Sequence, residues 1–129
     1  MSGSFMRYLL VGIGGFFGSI ARFWVGGAVY ARLGTRFPWG TFFVNVSGCF
    51  AIGFIMIILT GRPQVGPSWR YLVPIGFIGG YTTFSTFGYE TLMSFREGAM
   101  LTGSLNILLS VVAGLIAVWL GMICGRALA

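Results

Sequence analysis

The residues best equipped for chemistry lie between Gly79 and Phe87, in the string Gly-Gly-Tyr-Thr-Thr-Phe-Ser-Thr-Phe. Thr82, Thr83, Ser85 and Thr86 offer hydroxyls that donate and accept hydrogen bonds. Phe84 and Phe87 are three apart, so a helix carries them on one face, with Thr83 four before Phe87 on that side. A phenyl ring is positive at its edge, and ring edges beside hydroxyls make an unusual lining for a hydrophobic helix. The chemistry on offer is non-covalent. The chain has no histidine, aspartate or lysine, so the usual zinc and catalytic-triad constellations cannot be assembled. No catalytic pair is visible, and an enzyme is the least favoured class.

The string lies inside a long apolar run from Trp69 to Phe95. Paired glycines and paired threonines are poor helix formers, glycine by about 1 kcal/mol against alanine, so they predict a break. A break inside a membrane leaves peptide groups unpaired, and is tolerated only where it is buried in protein or lines a watery cavity. The surroundings are membrane-like: 57% of the 129 residues are hydrophobic and only 8% charged, where a soluble domain carries about 25%. Mean hydropathy is +0.92. The net charge of +6 comes from eight arginines against Glu90 and Glu97. The arginines are scattered singly, without a basic patch, which argues against a nucleic-acid partner. Cys49 and Cys124 fall in apolar runs and read as free, buried thiols.

Periodicity and length predict an all-α integral membrane protein with four spans, at about 8–30, 40–60, 69–95 and 100–124. The third is broken mid-membrane. No linker or repeat divides the chain, so residues 1–129 read as one domain. The N-terminal residues are too short and polar for a cleaved leader, and the first span is retained. That span carries Gly14 and Gly18 at close-packing spacing, and also Arg22. An arginine deep in a span costs about 2.5–3.5 kcal/mol, so Arg22 either snorkels to the nearby loop or serves an aqueous vestibule or subunit contact. Asn45 is the one strongly polar residue of the second span. Pro74 falls in the first turns of the third, where proline is least harmful. Glu90 follows Phe87 by three and continues its face toward the membrane edge. Asn106 and Ser110 are four apart on the fourth span, a polar stripe.

Arg7, Arg62, Arg70 and Arg126 share one side of this topology, and Arg32, Arg36 and Arg96 the other. With almost no bias, the positive-inside rule fixes no orientation. The chain is therefore expected to insert both ways up and to work as an antiparallel homodimer.

Three groups of residues carry a family resemblance: Gly18 to Arg22; Trp39-Gly40-Thr41 with Val44-Asn45; and Gly79-Gly80 through Thr82-Thr83-Phe84-Ser85-Thr86-Phe87. With these, nearly the whole chain resembles the Fluc/CrcB fluoride channel family. The resemblance implies a dual-topology dimer that passively conducts fluoride through two pores, with a structural sodium ion at its centre. By motif position it implies Gly79 and Thr82 carbonyls on the sodium, Phe84 and Phe87 lining the pores, and Asn45 touching fluoride. Thr83, Ser85, Thr86 and Ser110 become hydroxyl donors along a polar track with Asn106. Arg22 and Glu90 become vestibule residues. It further implies fluoride resistance in a microbial plasma membrane, the inner membrane if the cell is Gram-negative.

The residues suit that ion. Fluoride is small, hard and strongly hydrated, so amide and hydroxyl donors must replace its water. Ring edges add contacts of about 1 kcal/mol each, weak enough to let the ion leave. The break supplies carbonyl oxygens without carboxylates, which disfavours calcium. The main alternative is a small four-helix dual-topology multidrug exporter, which needs a membrane-embedded carboxylate, usually in its first span. Here that span carries Arg22 instead. A packing subunit without transport is a second alternative.

Overall fold

The computed structural model describes residues 2–129, and every element in it is helical. Helix α1 (Ser2–Leu33) contains no proline and stops at Gly34, whose φ of +79° suits a residue without a side chain. The Gly34 N–H closes the last turn on the Tyr30 carbonyl at 2.9 Å. Helix α2 (Trp39–Gly61) starts directly after Pro38 and ends before the Arg62-Pro63 pair. Helix α3 covers 68–81: an α turn Ser68–Arg70, a wider stretch Tyr71–Ile78 and a closing α turn Gly79–Tyr81. Helices α4 (Phe84–Arg96) and α5 (Met100–Leu128) are joined by a tight turn at Gly98, φ +80°. The helices overrun the expected spans, above all α1, which is already helical at Ser2.

Gly3–Leu33, Trp39–Gly61 and Met100–Leu128 are each long and apolar enough to cross a membrane. Helix α4, at 13 residues, is too short to do so alone. Helices α3 and α4 nevertheless follow α1 in the same direction. Gly14 of α1 meets the backbone at Leu72 and Phe77, Gly18 meets Phe77 and Tyr81, and Tyr30 meets Glu90 of α4. Helix α2 runs opposite to α1, with Gly26 facing Val44 and Tyr30 packed on Gly40. Helix α5 runs with α2 through Gly53 against Val118 and Gly125 against Ile57.

The interior is small and polar, the exterior large and apolar. Val44, Ile78, Leu59 and Ala117 are the buried hydrophobic residues, beside buried Thr41, Thr83, Thr91 and Asn106. Phe16, Phe23 and Trp24 of α1 and Leu115 and Trp119 of α5 face outward. This inversion fits a lipid solvent, where helices associate through small-residue contact and internal hydrogen bonds.

Two details amend the sequence reading of the third span. Pro74 lies in the second turn of α3, as the first-turns expectation has it, but inside the wider stretch and past the one turn where proline is harmless. Proline lacks an N–H and its ring crowds the carbonyl four residues back. The chain responds by lengthening its hydrogen-bond step: the Gly79 N–H reaches the Pro74 carbonyl, five residues back. The glycines are not the break. Gly79 and Gly80 remain helical, and Gly80 is needed because an added Cβ would lie 2.8 Å from the Gly15 carbonyl oxygen of α1. The break is two extended residues, Thr82 (φ −80°, ψ 157°) and Thr83 (φ −148°, ψ 116°). Cys124 is exposed rather than buried, and Cys49 is half-buried.

Candidate functional site

Asn45 holds the break from α2. Its Oδ1 accepts from the Thr83 N–H at 2.7 Å, and its Nδ2 donates to the Thr83 carbonyl at 2.8 Å. One residue in extended conformation thus finds in a side-chain amide the two backbone partners that a helix would have given it. One hydrogen of Nδ2 is left over. The Thr83 side chain caps α4, accepting from the Thr86 N–H at 3.2 Å. It donates its own proton to Thr86 Oγ1 at 3.0 Å. Ser85, 3.3 Å away, must then donate to Thr83. Thr86 accepts from Thr83, and its own proton has no acceptor among the described residues.

The same rerouting frees two carbonyls. In a continuous helix the Thr83 N–H would reach the Gly79 carbonyl, and the Thr86 N–H the Thr82 carbonyl. Here those donors go to Asn45 and to the Thr83 hydroxyl. The Thr82 side chain and N–H both end on the Ile78 carbonyl, at 3.2 and 3.1 Å, so of its hydrogen-bonding groups the carbonyl is the one left open.

Two cavities meet at Thr83, which lines both. The first, about 400 Å³, is lined by Asn45, Gly79, Thr82, Phe84, Phe87 and Ser110. The Phe84 and Phe87 rings stand 5.6 Å apart at 43°, and Phe84 is 83% exposed. The second cavity, about 490 Å³, is lined by Arg22, Thr41, Thr86 and Glu90 among others. Ser85 is exposed and lines neither. Asn106 lines neither as well: at 1% exposure it sits between α4 and α5. Its Nδ2 donates to Thr91 at 2.8 Å, Thr91 donates to the Phe87 carbonyl at 2.7 Å, and Ser110 donates to Asn106 Oδ1 at 3.2 Å.

Glu90 departs from its expected place. It does not continue the Phe84–Phe87 face but turns to α1 and α2. Two steps of three residues leave it about 120° round the helix from Phe84. Its Oε1 accepts from the Tyr30 hydroxyl at 2.9 Å and from Thr41 Oγ1 at 3.0 Å. Its Oε2 is buried and has no hydrogen-bond partner among the described residues.

The sequence gives no role to Tyr30, Ser47, Gly48 and Thr91, and marks Thr41 and Tyr81 only as members of motifs. Thr41 and Thr91 carried a signal, as hydroxyls within apolar runs. The partnership of Tyr30 with Glu90 joins residues sixty positions apart and leaves no local pattern.

Comparison with known proteins identifies the family. Residues 9–122 match the family model described as CrcB-like protein, Camphor Resistance (CrcB). The chain is 51% identical over 121 residues to the fluoride-specific ion channel FluC of Acidobacterium capsulatum, covering 94% of this chain and 97% of that one. It is 52% identical over 121 residues to the protein of the same name from Solibacter usitatus, covering 94% and 99%. A third relative of that name, from Hydrogenovibrio crunogenus, is 44% identical over 121 residues, covering 94% and 92%. A family match over most of the chain, with half-identical relatives of nearly the same length, makes this protein a member of the CrcB family.

Proposed function

We propose that the chain is a passive, fluoride-selective channel, and not an enzyme, which lets fluoride leave the cytoplasm and relieves its toxicity. The observation that carries this reading is the Phe84–Phe87 cavity, in a chain half-identical to proteins named fluoride-specific ion channels. The two phenyl rings share that cavity with Asn45, whose second Nδ2 hydrogen is free to meet an anion. No arginine lines that cavity, so an ion is attracted weakly at each step and can leave. Thr83 and Thr86 continue the track toward Arg22 and Glu90, the vestibule residues, with Ser110 on the Phe side. Asn106 acts behind the track, by orienting Ser110 and Thr91. Ser85 supports Thr83.

The working unit is an antiparallel homodimer in the plasma membrane, each subunit crossing four times, with α3 and α4 together forming the interrupted third crossing. Near-even arginine counts on the two sides support dual insertion. The exposed Phe84 and the outward apolar faces are surfaces for a twin and for lipid. Sodium is the proposed structural ion. The donor set fits a hard monovalent cation: the carbonyls of Gly79 and Thr82 have lost their helical N–H partners, and Gly79 is exposed. One chain offers two such oxygens, and a two-fold twin doubles them. When bound, the ion would pin the two breaks together.

The test is fluoride efflux from liposomes carrying the purified protein, set against chloride efflux. Rapid fluoride loss with chloride retained is expected. Fluoride retention equal to empty vesicles overturns the reading, and pH-driven uptake of a cationic drug instead would favour an exporter.

A further inference from the structure

Helix α2 meets three consecutive residues around the break, one after another. Asn45 pairs with the Thr83 peptide. Ser47 lies 2.9 Å from the Tyr81 hydroxyl. Gly48 lies under Thr82, where an added Cβ would collide with Thr82 Cγ2. The direction of the middle contact follows from its neighbours. Ser47 gives its single proton to the Val44 carbonyl at 3.0 Å, so Tyr81 must be the donor and Ser47 the acceptor. The Tyr81 ring is also stacked on Phe77, with centroids 6.2 Å apart and planes at 7°.

Tyr81 closes α3, and Thr82 is the next residue. The Thr82 amide and hydroxyl are both tied back to Ile78. Its carbonyl direction is therefore set by where Tyr81 ends the helix and by how closely α2 lets the Thr82 methyl approach. We infer that Ser47, Gly48 and Tyr81 are positioning residues that aim the Thr82 carbonyl at the cation. This rests on the sodium reading given above. The three touch no ion themselves. They act through the peptide between Tyr81 and Thr83.

The experiment is thermal unfolding of the purified protein in detergent, with sodium chloride exchanged for N-methylglucamine chloride at constant ionic strength. A cation that binds only the folded state raises the midpoint with concentration, and the half-point reports its affinity. The wild type is expected to show such a rise. In Tyr81→Phe the ring stack survives and only the hydroxyl is lost. Its sodium half-point is expected to move up about tenfold, the scale on which loss of a group that orients a metal ligand lowers affinity. Gly48→Ala is expected to move it at least as far, and Ser47→Thr, which keeps an acceptor, to retain the wild-type half-point. A purely structural bridge would lower every midpoint equally and leave the half-point in place, and that result in Tyr81→Phe and Gly48→Ala overturns the inference. A wild type whose midpoint ignores sodium overturns the sodium reading and the inference with it, and is recognised before any variant is made.

Discussion

Asn45 and the Thr83 peptide exchange two hydrogen bonds, 2.7 and 2.8 Å long, across α2 and the break. The amide matches an extended peptide donor for acceptor, which no other side-chain type of that size does. Asn45→Asp keeps the acceptor but sets a carboxylate against the Thr83 carbonyl, and Asn45→Ala leaves both peptide groups bare. Either is expected to cost about 1–3 kcal/mol of folding stability, read as a lower unfolding midpoint in detergent. Fluoride efflux should slow sharply in both. Unchanged stability would mean that the break stands without Asn45.

The two rings that share the 400 Å³ cavity are the next target. Phe84→Ile and Phe87→Ile keep bulk but remove the positive ring edges, about 1 kcal/mol at each of two successive positions. Efflux is expected to fall close to background in each variant, while gel filtration gives the wild-type elution volume. Wild-type flux in both would remove the aromatic lining from the account.

Thr83 and Thr86 look alike in the sequence and differ in the structure. Thr83→Val loses the cap of α4 and should lower stability by about 1 kcal/mol. Thr86→Val loses a hydroxyl whose proton has no protein acceptor among the described residues. Its expected mark is slower efflux with a smaller change in unfolding midpoint. The reverse pattern would exchange their roles.

Asn106 is a packing element rather than a lining one. Asn106→Leu takes the acceptor from the Ser110 hydroxyl and the donor from Thr91 Oγ1, and about 2 kcal/mol of stability is expected to go with them. Its unfolding midpoint should drop further than that of Ser110→Ala. Equal midpoints would argue that the buried amide contributes nothing beyond its contact with Ser110.

Much of this was legible in the chain. The apolar runs announced membrane helices, and the spacing of Phe84 and Phe87 put them together. The paired glycines and threonines announced an interruption, but two different jobs lay inside one string. The glycines serve contact with α1, which shows only when Gly15 and Gly80 are brought together. The threonines carry the break, because Asn45 waits opposite them. Glu90 was misplaced for a geometric reason: steps of three fall about 60° short of a full turn, and the error doubles by the second step. Its partners, Tyr30 and Thr41, belong to other helices, and periodicity along one helix does not report them.

The widened turn at Pro74 is in effect one residue too many, absorbed without a loop. Without that widening, the same residues wound as an ordinary helix would carry everything downstream round the axis by about 100°, one residue's step. The threonine pair would then point away from its asparagine. The phase of the whole second half of the molecule is thus stored in one surplus peptide beside a proline.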